Sequence, residues 1–171
     1  MVSIVSADKK DFQLLSEIAR VTFLESHGHS APPGVIKSYV KDKFNVNAVE
    51  AELHEKENIF NILTYNSKPA GYSKIILNNT HPAIKERNIT KLERLYLLKE
   101  FYDLKLGHTL FQFNLDFSKK NEQAGMWLYT WKENQRAVNF YKKAGFEIIG
   151  SYDFHLAASH SNPNYLMLLR Y

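Results

Sequence analysis

The sequence predicts a mixed α/β sheet in a single domain over residues 1–171, and three observations carry that prediction. Two β-rich runs, Ile59 to Tyr65 and Ala70 to Leu77, are joined through Asn66-Ser67 and Lys68 and read as a hairpin. The stretch Leu92 to Thr109 opens as an apolar run suited to a buried strand, passes through a short polar break, and resumes at Lys105. From there Leu106, Leu110, Phe113 and Phe117 follow helical spacing. A strand, helix, strand succession then runs from Met126 to Tyr152. Hairpins on one side and strand-helix-strand units on the other require a sheet with both strand senses and covering helices.

Taken in order, Val2 to Val5 is short and β-rich, and Asp8 can cap a helix whose apolar side is Phe12, Leu15, Ile18, Ala19 and Phe23. Pro32 and Pro33 break it within His27 to Gly34, after which Val35, Ile36, Tyr39, Val40 and Phe44 predict a second amphipathic helix. A third follows from Asn47 to Lys56, and then comes the hairpin. Asn78 to Glu86 is polar, carries Pro82 and reads as a connecting loop before the central strand. Met126 to Thr130 is a strand, Glu133 to Ala144 a helix closed by Gly145, and Phe146 to Tyr152 a strand. Ser159 to Asn164, with Pro163 and two Asn, reads as a loop before a last strand, Tyr165 to Arg170.

Composition narrows the function classes. With 44% hydrophobic and 13% aromatic residues the chain can close a packed core, which argues against disorder. The net charge of +4 comes from 22 basic and 18 acidic residues that are dispersed, so no nucleic-acid interface is expected. The absence of cysteine excludes disulfides, thiolate chemistry and zinc-thiolate sites. The seven histidines lack metal-ligand spacing, so no metal is expected. No apolar leader or long apolar run is visible, so a cytoplasmic protein with no membrane partner is expected. The oligomeric state is open, a homodimer included.

The central stretch places Gly107 near a helix start, where free N–H groups and the positive end of the helix dipole make an anion site. A second stretch is more specific. The pattern Asn-x-x-Ala-x-x-Phe-Tyr-x-Lys-x-Gly-Phe at Asn134 to Phe146 resembles the second cofactor motif of the GCN5-related N-acetyltransferases, with Leu92 to Thr109 in the place of the first. The Glu-Arg-aliphatic-Tyr-aliphatic run and the Trp-x-x-Asn-x-x-Ala-x-x-Phe-Tyr run resemble the PaiA-type bacterial polyamine N-acetyltransferases most closely.

The resemblance implies a mostly antiparallel central sheet with helices on both faces and a splayed cofactor-binding strand pair. It implies acetyl-CoA as co-substrate and direct transfer of the acetyl group to a small-molecule primary amine such as spermidine or spermine. The strand backbone from Leu95 through Tyr96 to Leu97 is then expected to pair with the pantetheine amides as an added strand would. The pyrophosphate would sit at Tyr102, Lys105, Leu106, Gly107, His108 and Thr109. The family pattern there is Gln or Arg, two residues, Gly, one residue, Gly or Ala. Only Gly107 matches, with Tyr102 and Lys105 as departures.

Tyr141 stands where a phenol would protonate the leaving thiolate, or it is a core aromatic beside Phe140. Glu93, a carboxylate in an aliphatic strand, would have its proton affinity raised by burial and act as base, directly or through water; otherwise it faces solvent or pairs with Arg94. Asn134 is a pantetheine contact, a helix cap, or both. Lys143 is a phosphate contact or a solvated last-turn lysine. Glu25, Asp42, Glu50 and Glu52 are acids that could face a cationic acceptor. Rival functions are acetylation of a protein N-terminus or lysine, and a non-catalytic acyl-CoA-binding sensor.

Overall fold

A computed structural model describes all 171 residues. The elements run β1 (Val2–Ser6), α1 (Phe12–His27), α2 (Pro33–Lys43), α3 (Val46–His54), β2 (Asn58–Tyr65), β3 (Lys68–Ile76), β4 (Thr90–Leu97), α4 (Leu106–Lys120), β5 (Gly125–Trp131), α5 (Gln135–Lys143), β6 (Glu147–Ala157) and β7 (His160–Arg170). The seven strands form one sheet in the order β1-β2-β3-β4-β5-β7-β6. Every neighbouring pair is antiparallel except β4 with β5, so the sheet is mixed and mostly antiparallel. No helix is long and apolar enough to cross a membrane.

Alternating side chains of the strands load both faces. Phe60, Ile62 and Tyr72 pack under α1, α2 and α3 with Leu15, Ile18, Phe23, Ile36 and Val49. Ile75, Leu92, Met126, Leu128 and Met167 pack on the opposite face, with Phe111 and Leu115 of α4 and Tyr141 of α5. Helices therefore cover both faces.

Two details of the sequence reading change. Phe113 is 37% exposed, and α4 instead buries Leu106, Leu110, Phe111 and Leu115 together with Asn114 and Ser118. Asn114 can occupy that face because it donates to the Leu110 carbonyl and Ser73 Oγ and accepts from Asn61 Nδ2. Ser159 to Asn164 is not a loop: from His160 onward it belongs to β7, paired with β6. Pro163 is tolerated because it lies just past the last β5–β7 pair, Trp131 with Asn164. Its carbonyl accepts from Lys132 N at 2.9 Å, so its missing N–H faces the side where β5 has ended.

Candidate active site

The site begins where β4 and β5 part. The two strands pair only at Thr90 with Met126 and Lys91 with Trp127. Beyond Lys91 the β5-facing edge of β4 has no strand partner, and a cleft of about 980 Å³ opens there. On its other edge β4 stays paired to β3 up to Leu97, opposite Gly71. A Cβ at Gly71 would stand 2.4 Å from the Tyr96 carbonyl oxygen, so glycine permits this close approach.

Within β4, Arg94 lies opposite Lys74 and Leu92 opposite Ile75, which leaves Glu93 as the extra residue of a β-bulge. The bulge brings Glu93 into the cleft, and Lys74 Nζ stands 2.8 Å from Glu93 Oε2 as an ion pair without hydrogen-bond alignment. Lys74 donates instead to Glu52 Oε2 at 2.7 Å, and Arg94 Nη2 donates to Glu52 Oε1 at 2.9 Å. Burial pushes the Glu93 carboxyl upward, yet the Lys74 ammonium, with Lys91 and Arg94, outweighs it and holds Glu93 below the usual carboxylate range. The expectation of a raised proton affinity is thus reversed, and the partner is Lys74, since Arg94 belongs to Glu52.

At the far end of β4, a 3₁₀ turn at Lys99–Phe101 leads into α4. Glu25 Oε2 accepts from the Lys99 N–H at 2.8 Å and fixes the start of this loop. Lys105 then adopts φ +59°, ψ +12°, the left-handed conformation that glycine takes without strain. The departure from the family's first glycine therefore leaves the backbone course of the loop intact. No side chain caps α4, and its first intrahelical bond runs from Thr109 N to the Lys105 carbonyl, so the N–H groups of Leu106, Gly107 and His108 precede it. The second departure is matched by a neighbour: the Arg136 guanidinium stacks 4.0 Å from the Tyr102 ring centroid, which puts a fixed cation beside the place of the family's Gln or Arg. Arg136 also approaches Asp103 at 3.4 Å.

The opposite wall comes from α5. Asn134 Oδ1 accepts from the Ala137 N–H at 3.2 Å, capping the helix while its amide nitrogen remains for another acceptor. Tyr141 is buried among Phe140, Phe146 and α4, yet lines the cleft. Burial, then the neighbouring Tyr96, raises its pKa well above the ordinary tyrosine value, so it stays a protonated phenol. Tyr96 itself is pushed up to about 12 by burial. His27 stacks on Phe23 and meets Trp131, and burial with the nearby His29 lowers it to about 4, which keeps its imidazole neutral.

Of the residues named from sequence, Glu93, Leu95, Tyr96, Leu97, Tyr102, Lys105, Leu106, Gly107, His108, Asn134, Tyr141 and Lys143 all line this cleft. Thr109 does not, and its hydroxyl donates to the Lys105 carbonyl at 3.3 Å. Leu106 is 2% exposed and packs into the core, so only its backbone is available to a ligand. Sequence reasoning missed Arg136, Lys91, His27 and the Lys74 pairing. Lys74, close to Tyr72 and directly before Ile75 and Ile76, was the available signal for a buried ion pair.

The profile of the Acetyltransferase (GNAT) family matches residues 17–146. The chain is 27% identical over 155 residues to an uncharacterized N-acetyltransferase in the pepI 3' region of Lactobacillus delbrueckii subsp. lactis, covering 91% of this chain and 90% of that one. An uncharacterized N-acetyltransferase of Mycobacterium tuberculosis is 26% identical over 158 residues, covering 92% and 96%. Among solved structures, the PaiA N-acetyltransferase of Thermoplasma acidophilum in complex with coenzyme A superposes with a TM-score of 0.79 at 21% identity, over 100% of this chain and 99% of that one. The ribosomal-protein-S18-alanine N-acetyltransferase of Escherichia coli gives 0.72 at 16% identity, over 99% and 94%. With the profile spanning most of the sequence, the chain belongs to the acetyltransferase (GNAT) family and is an N-acetyltransferase with acetyl-CoA as co-substrate.

Proposed function

We propose that residues 1–171 act as one N-acetyltransferase domain that moves the acetyl group of acetyl-CoA directly to a primary amine held with it in the β4–β5 cleft. The observation that carries this reading is the unpaired β4 edge, which ends at an uncapped helix start and faces a protonated Tyr141. The residues fit the co-substrate. The free edge around Leu95 and Leu97 suits the pantetheine amides, as does the Asn134 amide nitrogen. The N–H groups of Leu106, Gly107 and His108, with Lys105, Arg136 and Lys143, suit the pyrophosphate.

In the transfer the Tyr141 phenol donates its proton to the departing sulfur. Glu93, ionised and tethered by Lys74, accepts a hydrogen bond from the incoming amine, and water carries the surplus proton onward. A carboxylate with lowered proton affinity orients and relays; it does not store the proton. The polyamine acceptor rests on the sequence resemblance alone, because the PaiA neighbour at 21% identity is a likeness of fold. The acids named for it are otherwise engaged: Glu52 pairs with Lys74 and Arg94, Glu25 holds the Lys99 N–H, and Asp42 and Glu50 lie outside the cleft.

Isothermal titration with acetyl-CoA beside a turnover panel of polyamines, peptides and small amines tests the proposal. Saturable binding with N-acetyl product is expected. Binding with no product from any amine would leave an acyl-CoA sensor as the function.

A further inference from the structure

The cleft has two halves, one on each face of the sheet. Arg136, Lys143 and the start of α4 belong to the half assigned above to the co-substrate. The other half opens on the face covered by α1 to α3 and is lined by Tyr39, Phe44, Tyr129 and Phe154, with Lys43 and Lys91. It is rich in cations. Around it Lys43, Lys74, Lys91 and Arg94 face only Glu52 and Glu93, and both of those carboxylates are already in ion pairs. A polycation entering this half would meet like charge.

Lys91 is the odd member of this set. It makes no ion pair within the protein, and its ammonium rests 5.1 Å from the Trp127 ring centroid and 5.8 Å from that of Tyr129. Ring faces hold a cation weakly and leave it available to an anion. Burial lowers its pKa, partly offset by Glu93, which is the signature of a charge lacking a full partner. On the same face, Asn164 Oδ1 is buried with no hydrogen-bond partner and lines the cleft, two residues before Leu166 that packs with Trp127. The half therefore offers an uncommitted cation, an uncommitted hydrogen-bond acceptor, one carboxylate at Glu93 and aromatic walls.

Resting on the N-acetyltransferase reading, we infer that the acceptor is an amine carrying its own carboxylate, an amino acid with an apolar or aromatic body, and that Lys91 sets this preference by pairing with that carboxylate. The amino group then faces Glu93 and Asn164 while the body packs between the aromatic walls. The amine nitrogen forms the C–N bond to the acetyl carbonyl carbon as the C–S bond breaks. The released electron pair stays on sulfur, which takes a proton to give the free thiol of coenzyme A. The second proton, carried in by the ammonium, leaves to solvent. The surplus of positive charge favours the neutral amine in this half, which eases that proton's departure.

The test compares L-phenylalanine with phenethylamine, which differ by the carboxylate, and with spermidine, in wild type, Lys91→Met and Lys91→Arg. Wild type is expected to show kcat/KM for phenylalanine at least about tenfold above both other amines. That ratio should collapse about tenfold in Lys91→Met and be largely kept in Lys91→Arg. Binding of 3-phenylpropionate, followed by protein NMR shifts, needs no turnover and should weaken about tenfold in Lys91→Met while acetyl-CoA titration shows the variant still folded. Preference of wild type for spermidine or phenethylamine, or a ratio unchanged in Lys91→Met, overturns the inference and leaves the transferase reading standing. Lys91-dependent binding of 3-phenylpropionate with no amine acetylated supports the carboxylate site and removes the transferase reading instead.

Discussion

The environments of Tyr141 and Glu93, the two residues proposed to carry the proton traffic, differ in sign. Burial keeps the Tyr141 phenol protonated, so it is a donor throughout the neutral range. Tyr141→Phe deletes that proton and keeps the ring packed against Phe140 and Phe146. It should leave acetyl-CoA affinity unchanged and slow single-turnover acetyl transfer by about a hundredfold to ten-thousandfold; an unaltered single-turnover rate would remove Tyr141 from the chemistry. Glu93 is held ionised by Lys74, so its charge does not change across the range where a free amine titrates. Glu93→Gln should reduce turnover at neutral pH, where the amine is almost wholly ammonium. The deficit should shrink as pH climbs toward the pKa of the acceptor amine, about 10 for an alkylamine such as phenethylamine and lower for an α-amino group, and solution supplies neutral amine. A pH profile parallel to wild type would show that Glu93 takes no part in deprotonation. The carboxylate in an aliphatic strand was visible in the sequence, but its partner was not. Lys74 lies on a different strand, and the bulge that turns Glu93 into the cleft is a matter of pairing between β3 and β4.

Among the elements, the loop from Leu98 to Lys105 shows where local reasoning stopped. Helical spacing from Lys105 onward placed the start of α4, yet it assigned Phe113 to the buried side because a buried Asn114, satisfied by Ser73 and Asn61, has no signature in a hydrophobic pattern. Likewise Pro163 and its neighbouring Asn have turn composition and still lie in β7, because β5 ends opposite Asn164 and asks no N–H of the proline. Lys105 in the left-handed region carries strain of roughly 1 kcal/mol that glycine would relieve. Lys105→Gly should therefore raise stability by up to about 1 kcal/mol in urea unfolding, while Lys105→Ala should not. Both lose the ammonium, so both should weaken coenzyme A while leaving pantetheine binding, which involves no phosphate, nearly unchanged. Equal weakening of coenzyme A and pantetheine would show that Lys105 does not face the phosphates.

Across the whole molecule, the mixed sheet was legible from hairpin and strand-helix-strand succession, because those are local signals. Its strand order and the unequal charge of the two cleft halves depend on contacts between distant segments and were not legible, and the parting of β4 from β5 was expected from the family resemblance alone. The unpaired β4 edge and Tyr141 line one cleft, and in the proposed transfer both substrates share it, so no acetylated protein intermediate is needed. Rapid-quench analysis of the first turnover with intact-protein mass measurement tests the proposed direct transfer. With direct transfer, free thiol and N-acetyl product appear together, only when an amine acceptor is present, with the protein mass unchanged. A burst of free thiol without amine, accompanied by an acetylated protein that later passes its acetyl group to added amine, would contradict it.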